Sequence, residues 1–240
     1  MSDLEQYGDY NDTEEYDERP RGFRPLTLIK WLIFVLIAAV VFLLGARLIL
    51  FSYYPAEVRR TIPTDALRAY ATDKDNIGAL TQELRFPYDD CDLDTLNSND
   101  LGTFFAGHLT VVPETGSVQI AVRLNTAAYE TMATRLGVDP LTDADLGRLT
   151  FRLRDNDGNL YEESPGRVTA SVLFYRYLRV AFDGVPLGEP GDGTTAPAWL
   201  RLEIGLEGVE TPYSYLLIYE NNDAYHTFRT ITLKKEELLP

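Results

Sequence analysis

The chain has 240 residues, with 37 acids against 22 lysines and arginines, for a net charge of −15. A chain this acidic lacks the positive footprint that nucleic-acid binding needs, and its length leaves one domain of ordinary size beside any targeting segment. The single cysteine, Cys91, excludes an intramolecular disulfide, and a domain of roughly 180 residues can build a sufficient core without one.

Residues 1–25 are acidic, turn-rich and short of aliphatic side chains, and are expected to be a disordered cytoplasmic tail. Tyr7, Tyr10 and Tyr16 sit among its acids. They read as solvated tail residues, with modification by a kinase or use as a docking peptide as the alternative.

Leu26 to Phe51 form the most informative segment. Its centre, Trp31 to Ala46, is sixteen residues without a charge, bracketed by Lys30 and Arg47. With its apolar flanks it supplies the roughly 20 residues needed to cross about 30 Å of hydrocarbon. Lys30 and Arg47 can snorkel to the headgroups, while Trp31 at one boundary and Tyr53 and Tyr54 at the other suit an aromatic belt. Pro55 ends the helix. A cleaved signal peptide fits less well: its basic region would be thirty residues long, and Leu44-Gly45-Ala46 is a poor cleavage site. The expectation is a single uncleaved transmembrane helix over residues 26–52.

Arg19, Arg21, Arg24 and Lys30 precede the span, and Arg47, Arg59 and Arg60 follow it. This small bias, with the larger folded part on the far side, places the N-terminus in the cytoplasm and the C-terminal domain outside the plasma membrane. The lone thiol suits a bacterial envelope protein.

Residues 53–99 read as a juxtamembrane helical stalk and loop. Helical character is expected from Ala56 to Gln82, with Thr64 as N-cap of Asp65 to Tyr70, followed by a polar loop from Arg85 to Asn99. From residue 100 the apolar period becomes two.

Val118, Ile120, Val122 and Leu124 alternate with polar or small residues. So do Leu149, Phe151 and Leu153, and again Leu200, Leu202, Ile204 and Leu206. Each predicts a half-buried strand. Leu109 to Val112 joins Val118 through Pro-Glu-Thr-Gly, and Arg154 joins Leu160 through Asp155-Asn-Asp-Gly-Asn159, both hairpin connections. Val168 to Phe182 is one long β-rich run that needs a bulge or break near Tyr175 to Tyr177, because its inward register would otherwise bury Arg176. Tyr213 to Glu220 and Tyr225 to Leu233 are further strands, with an exposed loop from Pro186 to Pro197 before them. One helix interrupts the series, from Ala127 to Leu136, capped by Thr126 and stopped by Gly137. Residues 100–240 therefore read as a mainly β extracytoplasmic domain, an immunoglobulin-like antiparallel β-sandwich with one inserted helix.

The chemistry on offer is sparse. Asp90, Asp92 and Asp94 space three carboxylates in the manner of an oxygen-rich calcium loop, but no glycine stands at the sixth position and Leu101 occupies the twelfth, so a solvated acidic loop is the simpler reading. Asp155 to Asn159 has its glycine at the fourth position and lies between strands, which makes it a turn. His108 and His226 are too few for a three-ligand zinc site without carboxylate help. Neither a Gly-x-Ser-x-Gly elbow nor a glycine-rich phosphate loop occurs, so the sequence calls for no catalytic residue, metal or cofactor. The remaining candidates are aromatic: Trp199, Tyr213, Tyr215 and Tyr219 could anchor a protein partner or stack on a sugar.

This layout of short tail, single span and extracytoplasmic β-domain resembles that of many bacterial envelope proteins in division, sporulation or secretion assemblies. The expectation is a non-enzymatic, membrane-anchored protein whose outer domain binds a protein or envelope component. A carbohydrate-binding module near the cell wall and a hydrolase are the alternatives.

Overall fold

The computed structural model describes residues 25–51, 54–84, 104–125, 128–139, 141–173, 175–187, 197–210, 212–220 and 228–239. The acidic tail, Cys91, Asp90, Asp92, Asp94, Thr126 and His226 lie outside them. The chain divides into two units, Met1–Phe51 and Ser52–Pro240.

The first unit holds helix α1 (Pro25–Phe51), 27 residues long, which at 1.5 Å per residue spans about 40 Å. Every side chain from Leu28 to Leu44 is exposed. The stretch Leu28–Ala46 is long and apolar enough to cross a membrane, as an anchor or as a signal sequence. A helix apolar on all its faces has no polar side to turn toward water.

The second unit is mainly β, and the strand pairings among its described residues are antiparallel. In chain order its strands are β1 (Asn76–Glu83), β2 (Phe104–Val112), β3 (Ser117–Asn125), β4 (Leu149–Asp155), β5 (Leu160–Glu162), β6 (Val168–Val172), β7 (Tyr175–Phe182), β8 (Trp199–Leu206), β9 (Ser214–Glu220) and β10 (Arg229–Lys234). They form a six-stranded sheet in the order β10-β1-β2-β3-β7-β6 and a four-stranded sheet in the order β5-β4-β8-β9. Leu109, Val118, Ile120 and Val180 from the larger sheet join Phe151, Leu153, Leu202 and Ile204 from the smaller in one apolar cluster. Each such side chain, fully buried, contributes about 1.5–3 kcal/mol. The rings of Phe104 and Tyr213 meet edge-on in this core, 5.9 Å apart.

In the immunoglobulin arrangement the first two strands pair in one sheet and the third crosses to the other. Here β1, β2 and β3 form a meander within one sheet, and β10 returns to its edge beside β1. The strand order supports the mainly β class and not the immunoglobulin-like assignment. The inserted helix is α4 (Ala128–Leu136), followed by Gly137 at φ +65°, as its C-terminal stop requires.

Helices also pack on the back of the larger sheet, the face turned away from the shared core. The chain after α1 forms a single turn, α2 (Ala56–Arg59), then α3 (Asp65–Thr72), whose N-cap Thr64 accepts a hydrogen bond from the Leu67 N–H at 3.4 Å as expected. Helical character then stops. The segment Asn76–Glu83 is a strand rather than part of a helical stalk, with Ile77 and Ala79 buried and Asn76 and Gly78 exposed. That alternation has period two, and β-branched and glycine residues disfavour helix. A final turn, α5 (Lys235–Leu238), closes over α3, where Leu67, Ala71, Ile77, Leu233 and Leu238 make a second apolar cluster.

This covering changes the expected half-burial of β3. All its residues from Ser117 to Leu124 are buried, including Gln119 and Arg123, because Tyr54, Val58 and Ile62 lie over the face that would otherwise meet water. The long β-rich run breaks earlier than expected, at Leu173 rather than Tyr175 to Tyr177. Leu173 takes φ +50° and turns the chain back on itself, so β6 and β7 pair as a hairpin and Arg176 is only half-buried.

Candidate functional site

Of the four aromatic candidates, two belong to the core. Tyr213 is 1% exposed, with the Arg135 guanidinium 5.4 Å from its ring centroid, and Tyr219 is 4% exposed beside Phe228. Simple alternation would put Tyr215 and Tyr219 on one face. A bulge prevents this: Leu217 pairs with Arg201 and Tyr219 with Leu200, which leaves Ile218 as an extra residue. One inserted residue reverses the facing of everything beyond it, so Tyr219 turns inward.

Trp199 remains half-exposed at the start of β8, on the outer face of the four-stranded sheet. Its approach is fixed from the β4–β5 turn, where Asn156 Oδ1 accepts a hydrogen bond from the Ala198 N–H at 2.6 Å. Tyr215 occupies the register position opposite Glu203, in a row with Arg152 and Glu162.

Glu203 organises this face. It is 2% exposed, and three guanidinium groups converge on it. Arg154 donates from Nε to Oε1, Arg201 from Nη2 to Oε1 at 3.4 Å, and Arg152 Nη2 lies 3.7 Å from Oε2. The guanidinium of Arg201 stands 5.7 Å from the centroid of the Trp199 ring. The arginine side chains keep between 17% and 34% of their surface. A carboxylate held by several charge-assisted hydrogen bonds restricts the rotamers of the arginines around it. The face therefore presents partly exposed arginines and a tryptophan in defined positions, the residue types enriched where proteins meet.

The opposite side of the domain hides a second polar layer that the strand pattern did not reveal. Arg123 and Arg179 are 1% and 0% exposed on the back of the six-stranded sheet. The Arg123 guanidinium lies between the rings of Phe105 and Tyr175, at 4.6 and 4.9 Å. Arg179 reaches across Ala121, its partner on β3, to donate to Thr110 Oγ1 at 2.7 Å and to the His108 carbonyl at 3.4 Å on β2. Ala121 is the small residue that permits this reach. Among the described residues no carboxylate pairs with Arg179. Burial pushes its pKa down to about 9, which still leaves the cation at neutral pH.

His108 neighbours this layer. Burial and then the charge of Arg179 lower its pKa, opposed by Glu83, whose Oε1 lies 3.1 Å from Nδ1. Tyr54 caps the layer rather than serving in an aromatic belt. Its ring lies over Gly107 and packs edge-on to Tyr177 at 5.5 Å, and its hydroxyl donates to the Phe105 carbonyl at 3.1 Å. The pairing of β2 with β3 shifts register at Gly107, and a Cβ there would stand 1.9 Å from the tyrosine ring.

Asp155 shows the turn chemistry expected of its loop. Burial works against its ionisation, but hydrogen bonds from Asn159, Tyr161 and Asp157 hold the carboxyl below the usual range. The Tyr161 pKa is pushed up to about 12 by burial and by that carboxylate. Among the described residues no group of three His, Cys, Asp or Glu side chains is placed to hold a metal ion.

Comparison with known proteins adds no family: no family model, no curated protein and no solved structure matches this chain.

Proposed function

We propose that this is a non-enzymatic, single-pass membrane protein whose C-terminal domain lies outside the cytoplasm and binds a protein or envelope component through the outer face of its four-stranded sheet. The observation that carries the binding half of this reading is the Glu203 cluster, with Arg152, Arg154 and Arg201 converging on one buried carboxylate beside half-exposed Trp199. Rigid aromatic and arginine side chains lose little entropy on association, which suits them to anchor a partner. The arginine over Trp199 occupies a ring face that a sugar would need for stacking, which favours a protein partner over a glycan.

The anchoring half rests on α1, with exposed side chains from Leu28 to Leu44 and only Ser52 and Tyr53 between its end and buried Tyr54. Alkaline carbonate should leave the full-length chain in the membrane pellet, and an impermeant maleimide should label Cys91 from outside the cell. A chain shortened near Ala46, or labelling only after lysis, would overturn the anchor or its direction. A photocrosslinker at position 199 should trap one discrete protein species, which Arg201→Glu abolishes while thermal unfolding stays cooperative. Equal trapping in that variant removes the proposed face.

A further inference from the structure

We propose that the β6–β7 hairpin tip, led by Leu173, enters the interfacial layer of the bilayer that holds α1 and gives the domain a second, lipid contact. This inference rests on the reading of α1 as a membrane anchor.

Two independent features single out this tip. Leu173 is the one non-glycine residue at positive φ among the described residues, at +50°. It is also 66% exposed, against 42% for Leu160, the other large apolar side chain exposed in Ser52–Pro240 among those residues. A left-handed backbone is disfavoured for a bulky L-residue, and tight hairpin turns ordinarily take asparagine or glycine there. A sequence shaped only by the turn would not place leucine at this position, where it is both strained and wet. Such an outlier points toward function.

Its position in the sheet names the occupant. Ile62 lies on Gln119, which pairs with Ala181, whereas Tyr54 lies against Tyr177. Followed backwards from Ile62 to Tyr54, the chain therefore moves along β7 from Ala181 to Tyr177. Those four positions cover about 13 Å, in the direction of the β7 start and the Leu173 turn. The end of the sheet at which the chain enters the domain is the end that carries Leu173.

Ser52 and Tyr53 are the only residues between Phe51 and Tyr54, so covalent reach limits that link to about 11 Å. The surface of a bilayer holding α1 is thus within reach of this end on chain length alone. Residues from Pro55 onward carry 29 acids against 17 bases, so the contact is apolar and needs no anionic lipid. One leucine is too small to bind lipid from solution, but a tethered domain meets the bilayer at high effective concentration.

The test uses the full chain with Cys91→Ser in phosphatidylcholine nanodiscs, carrying an NBD label on a single cysteine at Leu36→Cys, Leu173→Cys or Leu160→Cys. Lipids doxyl-labelled near the headgroup serve as quencher for positions 173 and 160, and lipids doxyl-labelled near the end of the acyl chain for position 36, which lies at the middle of the span. The expected result is at least twofold quenching and a blue-shifted emission at position 173, quenching at 36, and none at 160. Quenching at 36 without quenching at 173 overturns the lipid contact and leaves the anchor standing. Quenching at neither position removes the anchor and this inference with it. Equal quenching at 173 and 160 shows non-specific adsorption and overturns it too.

Discussion

The carboxamide of Gln119 takes both backbone groups of Ile62, donating from Nε2 to its carbonyl at 2.8 Å and accepting its N–H on Oε1 at 2.7 Å. A side chain on β3 here stands in for a neighbouring strand. Both groups are buried, and the segment that follows α1 is stitched to the sheet at this point. Gln119→Leu leaves the buried Ile62 N–H unsatisfied, while the Ile62 carbonyl keeps the Thr64 N–H at 2.9 Å as its donor, at a cost of about 1–3 kcal/mol. Urea denaturation of the full chain in detergent should show that loss as a lower midpoint with an unchanged slope. Gln119→Glu sharpens the test. An ionised carboxylate opposite the Ile62 carbonyl repels it, whereas the protonated acid can both donate and accept. This variant should lose more stability at pH 7 than at pH 4, and equal losses at both would mean that the pairing does not hold the segment.

Gly107 and Tyr54 provide a second, independent clasp. Since a Cβ at position 107 would stand 1.9 Å from the ring, Gly107→Ala forces Tyr54 out or shifts β2. A loss of about 1–3 kcal/mol is expected, as for overpacking of a core. Tyr54→Phe keeps the ring and removes only the hydrogen bond to the Phe105 carbonyl, at a cost of about 1 kcal/mol. Tyr54→Ala relieves the clash, so the double variant Gly107→Ala with Tyr54→Ala should be less destabilised than the sum of its parts. Additive losses would place the strain elsewhere than under this ring.

The residues in these clasps show where the sequence was legible and where it was not. Alternation identified the strands through Val118, Leu149 and Leu200, since apolar residues at every second position mark a core-facing strand whatever surrounds it. The same rule assigned Gln119 and Arg123 to a wet face, because nothing local to β3 announces that Tyr54 and Ile62, more than 55 residues upstream in sequence, will cover them. Only the apolar spacing of Tyr54, Val58 and Ile62 and the small Ala121 beside Arg179 carried a trace of that layer. The aromatic row failed for a different reason. One extra residue at Ile218 sends Tyr219 into the core, and a bulge of that kind has no signature in a run such as Ser-Tyr-Leu-Leu-Ile-Tyr-Glu.

Asp155 predicts a defined acid dependence. Its Oδ1 accepts from the N–H groups of Asp157 and Asn159 at 3.0 and 2.8 Å, and its Oδ2 from the Tyr161 hydroxyl at 2.9 Å. Those bonds favour the ionised form, so the folded pKa lies below the unfolded one. The folded state then binds the proton less readily than the unfolded state. The contribution is present above the ordinary carboxylate pKa near 3.9 and is lost as pH falls through the folded value. Asp155→Ala should cost about 2–3 kcal/mol at pH 7 through loss of the buried turn bonds. At pH 2 the gap between variant and parent should narrow, and a pH-independent gap would show that the carboxylate charge is not what orders the turn.

Glu203 and Arg179 are both buried, yet they should respond oppositely to replacement by a neutral side chain. Glu203 is a carboxylate on which the side chains of Arg152, Arg154 and Arg201 converge. Glu203→Gln removes the negative charge on which these partly exposed cations converge, which should cost about 1–3 kcal/mol, as for loss of a charge-assisted hydrogen bond. Added sulfate should recover part of the loss by screening or occupying the gap, while leaving the parent little changed. Among the described residues Arg179 has no carboxylate to orphan and donates to the hydroxyl of Thr110 and the carbonyl of His108. Arg179→Met preserves most of the volume and removes the desolvated charge, so the unfolding midpoint should stay within about 1 kcal/mol of the parent or rise. Thermal melts of the two variants side by side decide the matter. A large loss in Arg179→Met, rescued by Arg179→Lys, would mean that the cation itself holds the Tyr54 to Ile62 segment on the sheet, and that the layer under that segment stabilises through charge rather than packing.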